Sequence, residues 1–201
     1  MIVVLDEARA QVDVTGSTLR CPGCAGRLRR WGFARSRSLR APGGGRVWLR
    51  PRRVRCTSCA VTHVLLPAIA PARHGYVIDV VGQVLLARAQ GRSHRTIGAE
   101  LERPADTVRG WIRRVTARAQ WLRVQGTTIA HEFDSMLPAT IPAGSALADA
   151  ISALGVAASA VVRRLGLVGS PWQIIAMVAR GRLAQPRRQH PDTMTTTATP
   201  R

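Results

Sequence analysis

Residues 21–59 read CPGCAGRLRRWGFARSRSLRAPGGGRVWLRPRRVRCTSC and contain all four cysteines of the 201-residue chain. The cysteines form two C-x2-C pairs, Cys21 with Cys24 and Cys56 with Cys59. Two thiolates at this spacing can leave one tight turn and bind the same tetrahedral zinc ion at about 2.3 Å. We therefore predict a zinc ribbon with one structural Zn²⁺, because four thiolates leave no open coordination position for catalysis.

The residues between the two cysteine pairs predict which structure fills the interval between them. Residues 25–55 separate the pairs, a longer interval than is usual for such a site. Strand-like runs at 28–33 and 47–49 flank the turn sequence APGGG at 41–45, and Val54 leads back to Cys56. This pattern predicts a β-hairpin excursion between the two cysteine turns. Disulfides are the alternative use of the cysteines, and a reducing cytoplasm disfavours them.

Two histidines and two tryptophans near the cysteines have competing interpretations. His63 and His74 could be metal ligands, but four thiolates already satisfy zinc, so we expect a strand position for His63 and a linker position for His74. Trp31 and Trp48 could stack on bases or on arginine planes. We expect them instead to fill the core, since this small segment has few other large side chains.

Arginine dominates the charge of the chain. The formal net charge is +19, from 30 basic and 11 acidic residues, and such an excess favours a polyanionic partner. Residues 21–74 alone contain twelve arginines and no acid. We therefore expect Arg50, Arg52 and Arg53 of the ribbon to contact phosphates of double-stranded DNA without reading its sequence.

From Tyr76 the apolar pattern changes to a helical period, which predicts three helices within residues 75–123. The first ends at Gly91, Ser93 can cap a short second helix, and Gly98 in that helix lets another helix approach closely. Pro104 suits the first turn of the third helix. The predicted buried stripe of the third helix consists of Val108, Trp111, Ile112 and Val115. A short second helix and a sharp turn are typical of a helix-turn-helix, whose last helix enters the major groove of DNA.

This stripe leaves an exposed front on the third helix. Arg109 and Arg113 are one turn apart, and each can bind guanine O6 and N7 through two hydrogen bonds. The other predicted DNA contacts are Ala105 and Asp106 on the same front and, at phosphates, Arg92, Arg95, Arg114 and Arg118. A solvated face of a helical bundle is the alternative interpretation. Glu102 stands where this turn usually has glycine, and a left-handed backbone there would cost free energy.

The motifs CPGC, RVWLRPRRVRCTSC, GRSHRTIGAEL and TVRGWIRR resemble a known arrangement. They are similar to the amino-terminal DNA-binding part of bacterial insertion-sequence transposases, and to an actinobacterial family of stand-alone proteins with the same layout. The resemblance covers residues 17–120 and implies binding to the end of a mobile element or to an operator. A transposase of that kind would continue into a large ribonuclease-H-like domain with three acidic residues around metal ions.

The carboxy-terminal part lacks the signature of such a catalytic domain. Its acids are Glu132, Asp134, Asp149 and Asp192. No strand-rich sequence surrounds them, and a two-metal nuclease needs carboxylates that converge from several elements. We therefore predict that the chain is not an enzyme.

Further helices are expected after the third one. An apolar stripe is formed by Leu147, Ile151, Leu154, Ala158, Val161 and Leu165. It can pack on the preceding helices or on a second copy in a homodimer, and we expect the former. Ser170 and Pro171 predict a helix over 172–180, and the Pro, Thr and Arg content from residue 185 predicts a disordered tail.

The sequence also indicates a location. The amino terminus places Asp6 and Glu7 directly after its apolar run and has no basic flank before it, which is unlike a secretory signal. The apolar carboxy-terminal half has no uncharged run of the roughly 20 residues that a spanning helix needs. We expect a cytoplasmic, nucleoid-associated protein with no membrane partner and no small-molecule substrate.

Together these observations predict an α+β chain. Its divisions are a strand-like lead-in over 1–16, the zinc ribbon over 17–74, the helix-turn-helix over 75–123, a helical region over 124–184 and the tail over 185–201. The favoured function is DNA binding, by a regulator or an accessory factor derived from a mobile element. The alternatives are a transposase remnant or subunit without its catalytic domain and, less favoured, an RNA-binding basic protein.

Overall fold

The computed structural model describes residues 1–138, 141–181 and 183. Strands occupy the amino-terminal third and helices follow, which confirms the predicted α+β class. The predicted tail over 185–201 lies outside the described residues.

A four-stranded sheet forms the ribbon. It consists of β1 (Ile2–Val4), β2 (Leu28–Phe33), β5 (Arg52–Cys56) and β6 (Thr62–Pro67), in the order β1-β6-β5-β2. The β2–β5 and β5–β6 pairs are antiparallel, whereas β1 pairs in parallel with β6. The strand expected in the lead-in therefore belongs to the sheet of the ribbon.

The excursion between the cysteine pairs contains a hairpin with its turn where the APGGG sequence predicts it, but the predicted first strand over 28–33 pairs with β5 instead. The strands of the hairpin are β3 (Arg37–Arg40) and β4 (Arg46–Leu49), which pair antiparallel around a 3-10 turn over Pro42–Gly44. Leu39 of this hairpin is buried in the helical core rather than in the core of the ribbon. The hairpin thus joins the ribbon to the helices.

Helix α1 (Glu7–Thr15) was not predicted, and it occupies most of the residues 1–16 that were expected to form a strand-like lead-in. The Asp6 carboxylate accepts hydrogen bonds from the backbone N–H groups of Ala8 and Arg9, which caps the helix. Ala10 and Val14 are buried in a small core with Leu28, Val54 and Leu65. Helix α1 therefore covers one face of the ribbon sheet, called here the inner face.

The three predicted helices are present as α2 (Ile78–Ala89), α3 (His94–Glu100) and α4 (Ala105–Thr116). The Ser93 hydroxyl accepts a hydrogen bond from the Thr96 backbone N–H, so Ser93 caps α3 as expected. Pro104 lies one position earlier than predicted, at the N-cap of α4. Helix α5 (Ala119–Phe133) runs through the division predicted between residues 123 and 124.

The remaining helices pack inside the chain. Helix α6 (Ala146–Leu165) lies against α5 so closely that a Cβ at Gly126 would be 2.7 Å from the Ala153 carbonyl carbon. Helix α7 (Pro171–Val178) begins at the predicted Ser170 cap and packs on α6 and α2. The apolar stripe of α6 is buried within the chain, except that Ile151 is half-buried and Leu165 is exposed.

One described helix, α6, is long and apolar enough to cross a membrane, with a mean hydropathy of 1.5 in its most apolar window. The helix is longer than the uncharged run within it, because Asp149 lies near its start and Arg163 and Arg164 lie near its end. More than half of that window is buried against other parts of the chain. The absence of a membrane partner stays a prediction.

Candidate metal centre and basic surfaces

The four cysteines form one cluster, as predicted. All four Sγ atoms lie within 4.8 Å of one another. The Cys24–Cys56 and Cys21–Cys59 pairs are 3.4 and 3.7 Å apart, and none of the four forms a disulfide. Four sulfurs placed tetrahedrally at about 2.3 Å from an ion would be about 3.8 Å apart. The cluster therefore fits a four-sulfur metal site.

Two similar knuckles produce this geometry. The Cys21 backbone N–H donates to the Gly26 carbonyl at 3.0 Å, and the Cys56 N–H donates to the Val61 carbonyl at 2.9 Å. The residue after each second cysteine has a left-handed backbone, with φ of 55° at Ala25 and 59° at Ala60. Each C-x2-C segment thus turns back on itself and directs its two thiols to the same point.

Backbone amides in the second knuckle favour a thiolate. The Ser58 N–H donates to the Cys56 sulfur at 3.4 Å. Hydrogen bonds from the Cys59 and Ser58 backbones lower the pKa of the Cys56 thiol to about 6. A thiolate is the form that binds a metal cation.

His63 lies on β6, as predicted, and touches the cluster without belonging to it. Its Nε2 is 3.4 Å from Cys21 Sγ, and its Nδ1 is 3.3 Å from the Met1 amine. Because His63 is buried, desolvation lowers its pKa, and the charge of the amine acts in the same direction. A neutral imidazole beside a thiolate is a typical outer-sphere partner that orients a ligand.

The two tryptophans of the ribbon are not core residues, so that prediction was wrong. Trp31 is 42% exposed and Trp48 is 73% exposed, whereas Trp111 of α4 is 3% exposed. Aliphatic side chains and two cysteines fill the small core instead. Composition could not show this, because α1 and the cysteine cluster supply the missing apolar area.

Arginines flank the exposed aromatic rings of the ribbon. The Arg50 and Arg52 guanidinium carbons lie 4.6 and 4.8 Å from the centre of the Phe33 ring. Arg53 is exposed on the opposite face of β5 from Arg52. Of the three arginines predicted to contact phosphates, Arg50 and Arg53 are thus exposed and Arg52 is half-buried.

Helix α4 has a buried face and an exposed basic front. Val108, Trp111 and Val115 are buried, and Ile112 is half-buried. Arg109 and Arg113 are exposed one turn apart. Arg109 forms an ion pair with Asp106 at 3.1 Å, in which the two side chains are 67% and 88% exposed. Such an exposed pair stabilises the fold little, so that Arg109 remains free to exchange partners.

The structure places the other predicted contacts around this front. Arg95 is exposed on α3, and Arg92 is paired with Glu100. Ala105 is half-buried where α4 meets Gly98. Arg114 and Arg118 are half-buried, and the Arg118 guanidinium lies over the Trp121 ring.

The connection between the ribbon and the helices was not predicted from the sequence. Tyr76 lies between two guanidinium groups, with Arg40 of β3 at 5.4 Å and Arg103 of the α3–α4 turn at 5.3 Å. Arg103 also donates to the carbonyl of Ala41, at the end of the hairpin. These contacts fix the α3–α4 turn to the ribbon.

Residues 21–111 match a family model described as Domain of unknown function (DUF6431). The match begins at the first cysteine of the cluster and ends at Trp111 on α4, so it includes both the cysteine cluster and the α3–α4 turn. No curated protein and no solved structure matches the chain.

Proposed function

We propose that this chain binds duplex DNA in a sequence-specific manner, with α4 in the major groove. The observation that supports this most directly is the division of α4. Arg109 and Arg113 face solvent, while Val108 and Val115 anchor the opposite side in the helical core. A recognition helix needs a buried face that holds it in position and an exposed row of hydrogen-bond donors that can reach the bases.

The approach of α3 to α4 supports the same proposal. A Cβ at Gly98 would lie 2.8 Å from the Arg103 carbonyl oxygen, so a side chain here would push the two helices apart. Glu102 in the turn has φ of 51°, in the left-handed region where glycine is usual. Helices α2, α3 and α4, with a short middle helix and a sharp turn, have the proportions of a helix-turn-helix.

The charge distribution agrees with DNA as the partner. Residues 21–74 have twelve arginines and no acid, and the front of α4 adds Arg109 and Arg113. Arginine is suited both to phosphate and to the O6 and N7 atoms of guanine, because its donors form a planar fork. In this proposal the ribbon contributes sequence-independent contacts and α4 contributes sequence recognition.

The metal of the cysteine cluster is zinc in this proposal, and its role is structural. Four sulfur ligands in a tetrahedral arrangement favour zinc over harder cations. The buried members, Cys21 and Cys56, belong to the small core of the ribbon. The ion would therefore hold the ribbon together, and four thiolates would leave it no position for a substrate.

Selection from a random duplex library tests the proposed function. Full-length protein with its metal should enrich one sequence motif, and its affinity for that motif should fall as salt rises, since counterions are released. Recovery of no motif, with equal affinity for all duplexes, would contradict sequence-specific binding. The symmetry of the motif would report stoichiometry, because a dimer reads a palindrome.

A further inference from the structure

The outer face of the ribbon sheet, opposite the face that α1 covers, is exposed at β2 and β5, whereas Leu66 of β6 is buried in the helical core. Leu28, Val54 and Cys56 point to the inner face and are buried. Their strand neighbours alternate to the other side. The exposed members of the outer face are Arg29, Trp31 and Arg53. The register pairs Arg29 with Arg55, so β2 and β5 place these basic side chains next to each other.

Trp31 lies on this outer face in β2, the edge strand of the sheet, between the arginines of β2 and β5. The guanidinium carbon of Arg55 is 4.6 Å from the centre of the Trp31 ring, and that of Arg29 is 5.1 Å away. Arg55 is held in place because its Nε donates to the Ala60 carbonyl at 3.1 Å. Arg29 is exposed at the surface. The indole is thus an exposed aromatic platform with one anchored cation.

From this geometry we infer that the outer face binds single-stranded DNA, with an unpaired base stacked on Trp31. The base takes the place of the Arg29 guanidinium on the indole, and Arg29 then contacts a flanking phosphate together with Arg53. An exposed aromatic ring among cations on an open sheet binds unpaired bases, since every base has a π-face. The paired bases of a duplex are already stacked on one another, so their faces are not accessible.

Two features favour nucleic acid over a protein partner. Residues 21–74, which contain this face, have twelve arginines and no acid, so that a polyphosphate backbone complements their charge. An aromatic ring between arginines also matches the alternation of bases and phosphates along a strand. The choice of DNA rather than RNA rests on the proposed function, because α4 of the same chain is assigned to duplex DNA.

Fluorescence anisotropy with the full-length, metal-loaded protein tests this inference. The probes are a labelled dodecathymidylate, an abasic strand of the same length and a dodecauridylate. The wild-type protein should bind dodecathymidylate about tenfold more tightly than the abasic strand, which has the same charge but no bases. This ratio of affinities for dodecathymidylate and the abasic strand is called the margin. Trp31→Leu should abolish the margin, and Trp31→Phe should retain most of it.

Trp48→Leu is the matched control, since Trp48 is more exposed than Trp31 but lies on the separate β3–β4 hairpin. It should keep the margin within about twofold. Zinc content and thermal midpoint, measured for each variant, establish that the ribbon is folded. Equal binding of dodecathymidylate and the abasic strand by wild-type protein would overturn the inference. An equal loss in the Trp31 and Trp48 variants would overturn it too, as would tighter binding of dodecauridylate.

The same assay separates this inference from the proposed function. The double variant Arg109→Ala/Arg113→Ala should retain the full margin for dodecathymidylate over the abasic strand, because α4 is not part of the outer face. If duplex selection recovers no motif while the Trp31-dependent margin persists, the proposed function fails and this inference stands. If the margin is absent while a duplex motif is recovered, only this inference fails.

Discussion

Gly98 of α3 and Arg103 of the following turn are in direct backbone contact. The Arg103 N–H donates to the Gly98 carbonyl at 2.7 Å, and a Cβ at Gly98 would lie 2.8 Å from the Arg103 carbonyl oxygen. A separation under 3.0 Å from backbone is too short for a real Cβ. The approach of α3 to α4 therefore depends on glycine at this position.

Substitution Gly98→Ala should lower the thermal midpoint. The added methyl group forces the α3–α4 turn open, at a cost of about 1–3 kcal/mol. The control is Gly155→Ala on α6, where a Cβ would have no atom within 4 Å and where alanine should stabilise the helix by about 0.5–1 kcal/mol. If the two variants unfold at the same temperature, this result would contradict the close approach of α3 to α4 at Gly98.

Substitution Glu102→Gly should have the opposite effect on stability. Glu102 has φ of 51° and is exposed, so the change removes backbone strain without loss of buried contacts. The gain should be up to about 1 kcal/mol, because a left-handed conformation costs a non-glycine residue about 1–2 kcal/mol and glycine increases the entropy of the unfolded chain. Denaturant titration measures it, and a destabilised variant would contradict the left-handed turn.

Removal of the metal should unfold the ribbon selectively. Purified protein should contain one zinc ion per chain, and chelation should expose the core formed by Val14, Leu28, Val54 and Leu65, since metal binding and folding are coupled. The helical core has its own apolar contacts, so its amide protons should exchange more slowly than those of the ribbon after chelation.

A matched pair of variants tests whether metal binding depends on the cysteine sulfurs. Cys56→Ser should release the metal, whereas Ser58→Ala in the same knuckle should keep it, because Ser58 contributes its backbone N–H to Cys56. Metal-free protein with two disulfides, purified from a reducing cytoplasm, would refute the four-sulfur site.

Loss of the ribbon arginines should weaken binding to all duplexes similarly. The triple variant Arg50→Ala/Arg52→Ala/Arg53→Ala should lower the slope of log affinity against log salt by up to about one unit per lost phosphate contact. An unchanged slope would place these arginines away from duplex DNA. Arg163→Ala/Arg164→Ala on α6, which removes two charges instead of three, is the control for simple loss of positive charge, and the changes in slope are compared per arginine removed.

Local features of the fold could be predicted from the sequence. The cysteine spacing gave the cluster, the APGGG turn gave the β3–β4 hairpin, and the Ser93 and Ser170 caps gave the starts of α3 and α7. Each of these depends on residues close together in the chain, where turn and capping chemistry act directly.

Long-range features were missed or wrongly predicted. The parallel pairing of β1 with β6 joins residues more than 60 positions apart, and no local pattern specifies it. Asp6 indicates the start of helix α1 as a capping residue, but the helix has too few apolar residues to show a helical period. The exposure of Trp31 depends on which face of the sheet α1 covers, and tertiary packing decides this. The Tyr76 stack with Arg40 and Arg103 likewise joins three separate elements.

The discrimination ratio of the double variant Arg109→Ala/Arg113→Ala tests the central claim most directly. This ratio is the affinity for the selected motif divided by that for random duplex, measured at one salt concentration, with Arg163→Ala/Arg164→Ala as the charge-matched control. Each lost bidentate contact should cost about 1–3 kcal/mol at its own base position, so the double variant should lose nearly all discrimination while its thermal midpoint stays close to wild type. Full discrimination in the double variant would contradict the assignment of α4 as the recognition helix.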